Sequence, residues 1–125
     1  MIRNFTPHDV NVIRNATYSP EIRKYSAPEG TTPDTTIPSE GMLNAKIDTV
    51  PGPEIDGIPT FTKNIVGCDP LPELGPDDYV IVSALYASAY RATGGDTSKL
   101  LLVADPVMSP DGKTFLGCRG LAPIF

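Results

Sequence analysis

The sequence predicts an α+β fold: a mostly antiparallel β-sheet with one short helix, about residues 83–92, packed on it. Three observations lead there. Proline supplies 14 of the 125 residues, about double the usual ~5%. Because proline breaks helix interiors and central strands, the chain must be built from short strands and rigid loops, and a helical bundle is excluded. Short apolar or alternating segments recur between turn signals along the whole length. Only one stretch, Ser83 to Ala92, has the composition of a helix. A chain of this length forms a single domain, 1–125, that buries roughly two-thirds of its unfolded surface. Without tryptophan, and with aromatics at 7%, the core must be mostly Val, Ile, Leu and Ala.

Each element has its own justification. Residues 2–14 alternate imperfectly around Val10 and Val12, a strand pair or one bent strand, with the bend at Thr6-Pro7-His8 because Pro7 cannot donate to a ladder. Asn15 to Pro20 reads as a turn, and Glu21 to Tyr25 as a short strand closing a hairpin. Residues 27–41 carry three prolines, two glycines and four threonines without periodicity, a long loop of the kind that is functional or disordered. Met42 to Val50 alternates as a half-buried strand. Asp56-Gly57 between Ile55 and Ile58 is a hairpin turn, leading into a strand over 60–66. Pro70 to Pro76 is a rigid connector. Asp78-Tyr79-Val80-Ile81-Val82 lacks alternation and suits a central strand covered on both faces. In the helix, Ser83 is the cap, four alanines favour the interior, and Gly94 or Gly95 ends it. Leu100 to Val103 is a buried strand, Pro110-Asp111-Gly112 a turn, and Thr114 to Leu121 the last strand.

The net charge is −5, and the ten basic residues are spread singly. Duplex nucleic acid, which is held by clustered cations, is therefore not an expected partner. A small anion is still accessible to two or three convergent Arg or Lys. No apolar run reaches the length of a membrane span, and no apolar signal core follows Met1; the expectation is a cytoplasmic protein with no membrane partner. Cys68 and Cys118 lie far apart and form no Cys-x-x-Cys, so both are expected to be free, buried thiols, with no metal and no cofactor.

Catalytic signals are weak. There is no nucleophile elbow and no phosphate loop. His8, the single histidine, has no ligand-spaced partner and suits a turn hydrogen bond; Asp105-Pro106 reads as a turn initiator, and Cys118 as a core thiol. A non-catalytic chain is expected, with a hydrolase using His8 and Asp105 as a minor alternative. Arg119, between Gly117-Cys118 and Gly120, is the more informative residue. Glycines flanking one cation on a strand leave its planar fork open to a phosphate, the competing reading being a solvated Arg at a sheet edge. Tyr79, Ser83, Tyr86 and Tyr90 form a second candidate set. A strand running into a helix presents free N–H groups at Ser83 to an anion, and the tyrosines suit base stacking or the sealing of the helix against the sheet.

Four segments taken in order, Asn4-Phe5-Thr6-Pro7-His8, Ile55-Asp56-Gly57-Ile58-Pro59, Tyr79 through Leu85, and Gly117-Cys118-Arg119-Gly120-Leu121, resemble a family of short phage proteins that includes the first type of anti-Thoeris sponge. The resemblance implies an anti-defence protein, a homo-oligomer built from dimers that sequesters cyclic ADP-ribose isomers, and in some relatives cyclic oligonucleotides, without cleaving them. It implies a ligand role for Arg119 first, then for Ser83 and the Asn4, Thr6 and His8 segment. The 27–41 loop and the Ala92–Ser98 insertion depart from the family pattern. A protein-binding or structural phage accessory module acting through the 27–41 loop is the competing expectation.

Overall fold

Why the chain folds into a curled sheet is visible first in its strand pairing. The computed structural model describes residues 1–124. Its strands are β1 (Ile2–Asn4), β2 (Val10–Val12), β3 (Thr17–Ser19), β4 (Lys24–Ser26), β5 (Thr35–Ile37), β6 (Ala45–Pro51), β7 (Phe61–Cys68), β8 (Tyr79–Ile81), β9 (Leu100–Met108) and β10 (Phe115–Pro123), with one helix, α1 (Ala84–Ala92). The main sheet follows the path β1-β8-β9-β10-β2-β5, with the β3–β4 hairpin attached to β9 through β4. A parallel bridge between Asn4 and Ser39 ties the chain beyond β5 back to β1, reinforced by the Glu40 amide donating to the Asn4 carbonyl at 2.8 Å. The six-strand path thus curls back on itself.

Three apolar clusters hold this ring, one of them joining Ile13, Ala27 and Val107. Val80, Val82 and Leu100 pack with Tyr86 and Ala87 of α1. Ile81 and Leu101, the intervening residues of the same strands, pack instead with Val10 and Cys118, and with Val12, Ile37 and Leu121. Adjacent strand residues point to opposite faces, so β8 is covered on both sides, as its unbroken apolar run requires. Fully burying a large apolar side chain contributes about 1.5–3 kcal/mol, which makes these few strands the stability centre. Gly117 sets how closely β10 and β2 approach. A Cβ there would lie 2.4 Å from the Asn11 carbonyl oxygen, so only glycine lets the Ile13 amide reach the Cys118 carbonyl at 2.7 Å.

The helix starts where the sequence places it: the Ser83 hydroxyl accepts from the Tyr86 amide at 3.1 Å, and Gly94, at φ +87°, follows the Thr93 cap. Asp56 and Gly57, both at positive φ, form the expected hairpin turn beneath an Ile55–Ile58 bridge.

Several expectations are corrected. The main sheet is mixed rather than mostly antiparallel: β1–β8, β8–β9, β4–β9 and β10–β2 are parallel. Parallel order arises because connections through α1 and through the long loops return strands in the same direction, which local patterning does not reveal. Residues 15–20 hold β3, and the reversal falls at Pro20 to Arg23, where Arg23 itself takes φ +55°. The 27–41 loop contains β5, pinned by the Asp34 amide donating to the Val12 carbonyl at 2.8 Å. Asp105-Pro106 lies inside β9 and not at a turn. The alternating β6 is exposed on both faces, because β6 and β7 pair only with each other. Cys118 is a buried free thiol, but Cys68, also free, is only half-buried.

Candidate functional site

Arg119 is placed by the register of β9 and β10. Cys118 pairs with Pro106 and Gly120 with Ala104, so Arg119 falls opposite Asp105. Asp105 adopts φ +53°, a left-handed conformation that Asp tolerates better than most residues. Its carboxylate accepts from the Arg119 Nη1 at 3.2 Å. On its other side the guanidinium carbon sits 4.2 Å from the centre of the Tyr25 ring, a cation–π arrangement. Two contacts from different strands therefore orient a fork that has five N–H donors.

A shallow cavity of about 390 Å³ opens beside this fork, lined by Ile2, Val12, Arg14, Thr35, Ile37, Arg119, Gly120 and Leu121. Its lining is an apolar floor with an arginine from each of two adjacent segments. The Arg14 amide donates to Asp34 at 2.8 Å, while its exposed guanidinium has no partner among the described residues. Two guanidinium forks beside an apolar floor suit a ligand with phosphate and a ring system, because arginine matches phosphate geometry with paired N–H bonds and the floor takes the ring. Sequence reasoning missed Arg14. The only signal for it is the pairing of β2 with β10, which joins residues more than a hundred positions apart.

The other predicted residues lie elsewhere. Asn4 is fully buried and committed to its own loop: its amide donates to the His8 and Ile37 carbonyls at 2.9 and 3.0 Å, and its oxygen accepts from the Thr6 amide and hydroxyl. The same hydroxyl also lies 3.0 Å from the His8 carbonyl. The Asn-Phe-Thr-Pro-His motif is thus a structural knot joining β1, β2 and β5, and Asn4 has no group left for a ligand. The His8 ring is exposed and lines a second cavity of about 240 Å³ with Pro7, Val10, Val103, Phe115 and Cys118. Burial pushes the Cys118 thiol pKa up, and its sulfur lies 3.6 Å from the Asn11 carbonyl, which suits an inert core thiol.

Around α1, Tyr86 is fully buried and its hydroxyl donates to the Asp69 carbonyl at 2.7 Å. Burial, reinforced by Cys68, Tyr90 and Asp69 nearby, pushes its pKa up to about 12. The expectation that Tyr86 contacts a ligand is corrected: it stacks on Tyr90, with ring centres 5.9 Å apart, and anchors the helix. The Ser83 hydroxyl is spent on the helix cap. Tyr79 is part-exposed, with the Lys99 ammonium 4.8 Å from its ring centre. The structure brings Asn4, Thr6 and His8 together and gathers Ser83, Tyr86 and Tyr90 on α1, but it leaves Arg119 with Arg14. Among the described residues no cluster of His, Cys, Asp and Glu could hold a metal ion, and no helix is long and apolar enough to cross a membrane.

No protein family, curated protein or solved structure matches this chain.

Proposed function

We propose that this protein binds and sequesters a small phosphate-bearing cyclic nucleotide, of the cyclic ADP-ribose or cyclic oligonucleotide class, without cleaving it. In this role it is a cytoplasmic, phage-type anti-defence protein and a homo-oligomer built from dimers. The observation that carries the proposal is that Arg14 and a pre-oriented Arg119 line one cavity with Val12, Ile37 and Leu121. A messenger is silenced stoichiometrically only by tight binding, and nanomolar affinity corresponds to about −12 kcal/mol. Pre-ordered groups favour such affinity because less entropy is lost when the ligand docks. Arg119, held by Tyr25 and Asp105, meets that condition.

Titration calorimetry of the purified protein with cyclic ADP-ribose isomers and with cyclic di- and trinucleotides tests this. The expected result is nanomolar binding of at least one of them, with the ligand recovered chemically intact after heat denaturation. Absence of binding across the set refutes sequestration, and recovery of a cleaved ligand refutes a non-catalytic role.

A further inference from the structure

From the end of β2 the chain alternates between two cavities. Val12 and Arg14 line the arginine cavity, whereas Ile13 and Asn15 line another of about 210 Å³. The start of β5 divides in the same way, Thr35 lining the first and Asp34 the second. Successive residues of an extended chain point to opposite faces, so the two hollows are separate sites. Three segments build the second one. Thr17 of β3 and Ser26 of β4 are cross-strand partners, which sets their side chains next to each other on one face of the hairpin. Thr31, Thr32 and Asp34 come from the loop that follows β4, and the buried Ile13 and Ala27 supply apolar lining. Backbone-directed bonds hold this wall in place. The Asp34 amide donates to the Val12 carbonyl and one Asp34 oxygen accepts from the Arg14 amide, both at 2.8 Å. The Thr31 hydroxyl donates to the Pro28 carbonyl at 2.6 Å. The side chains of Asn15, Thr17, Ser26 and Thr32, and the second Asp34 oxygen, have no hydrogen-bond partner among the described residues.

We infer that this cavity binds a single neutral sugar ring. The inference is independent of the nucleotide function proposed above. Its first ground is the type of hydrogen-bonding group. Hydroxyls both donate and accept, and the Asn15 amide offers two donors and an acceptor, so the lining matches a ligand that is itself a ring of hydroxyls. The free Asp34 oxygen accepts from a sugar hydroxyl in a charge-assisted bond. The second ground is charge. Asp34 is the only ionisable side chain among the described residues of the lining, so a phosphate or carboxylate ligand is repelled. An organic cation is attracted by Asp34, but it brings no acceptor for the hydroxyl and amide donors. An apolar ligand strips water from those groups and gives nothing in return. The third ground is size. The cavity is smaller than the about 300–1,000 Å³ of drug-sized sites, which suits one ring and not an extended chain.

Amide NMR titration of the full chain with D-glucose, D-galactose, D-mannose and D-ribose, without nucleotide, tests the inference. At least one sugar is expected to shift the amides of residues 13–17, 26–28 and 31–34 along a curve that saturates in the millimolar range, leaving Arg119 and Gly120 unmoved. The set separates a hexose ligand from a pentose. Thr17→Val keeps a β-branched side chain in β3 and removes only the hydroxyl, and Ser26→Ala removes its neighbour. The two together are expected to weaken binding about tenfold or more, and Thr17→Val alone severalfold, since each deletes one neutral hydrogen bond. The phosphate ester of the sugar that binds is expected to bind more weakly than the sugar itself. No saturable shift with any of the four sugars overturns the inference, as does binding indifferent to both hydroxyl deletions. Equal or tighter binding of the phosphate ester overturns the assignment to a neutral ligand.

Discussion

Replacing Arg119 with alanine separates the cost to the fold from the cost to binding, and the structure gives a magnitude for each. The ion pair with Asp105 is solvent-exposed, and such pairs contribute about 0–1 kcal/mol. The contact with the Tyr25 ring contributes roughly 0.5–1 kcal/mol at an exposed site. Arg119→Ala is therefore expected to lose no more than about 1–2 kcal/mol of stability, a fall in Tm of several degrees. Charge-assisted hydrogen bonds to a phosphate contribute about 1.5–3 kcal/mol, so affinity should fall about 10- to 150-fold. Calorimetric titration of both proteins with the nucleotide that binds wild type best, together with a thermal melt of each, measures both quantities. A dissociation constant within twofold of wild type refutes the assignment of Arg119 as a phosphate ligand. A collapse of the fold refutes the claim that its contacts are peripheral to stability.

Three further outcomes follow from the packing. Tyr86→Phe removes the donor to the Asp69 carbonyl and should cost about 1–2 kcal/mol in urea denaturation at neutral pH. The Tyr86 pKa is raised in the folded state, so its contribution is complete below the ordinary value of 10 and is lost as the pH rises toward about 12; wild type should show an alkaline loss of stability that the phenylalanine variant lacks. Gly117→Ala drives a methyl against the Asn11 backbone and should destabilise by about 1–3 kcal/mol or more, read from the urea midpoint. The Asp111 carboxylate is held below the usual range by the Ser109 hydroxyl and then by the Lys113 amide. Its contribution is present above the ordinary 3.8 and lost as the pH falls through the lower folded value; Asp111→Asn should flatten that acid limb in a pH series of thermal melts.

Local chemistry was legible in the sequence, and long-range pairing was not. The Ser83 cap, the helix that follows it, the Asp56-Gly57 turn and the doubly covered β8 all depend on residues within a few positions of one another. Each was identified from composition and spacing. The mixed order of the sheet depends on which strands meet after loops such as 27–41, and alternation within a strand carries no record of its neighbour's direction. The same limit shaped the candidate site. Arg119 stood out because Gly117 and Gly120 flank it, and the structure does place it in a cavity, although Gly117 is there for the approach of β2 and not for a ligand. Arg14 was invisible without the β2–β10 pairing. Tyr86 looked like a stacking platform because helical spacing pairs it with Tyr90. That stacking exists, but it faces inward, and only the packing of α1 on the sheet decides which stripe of a short helix is buried.

The most direct test of nucleotide sequestration is a thermal-shift titration of the wild-type protein against cyclic ADP-ribose isomers and cyclic di- and trinucleotides. Micromolar ligand at a nanomolar site gives ~1,000-fold saturation and about 4 kcal/mol of stabilisation, a rise in Tm on the order of 10 °C or more. A shift of that size with one ligand, released intact on heating, is the predicted result. An unchanged Tm with every nucleotide at those concentrations would contradict it.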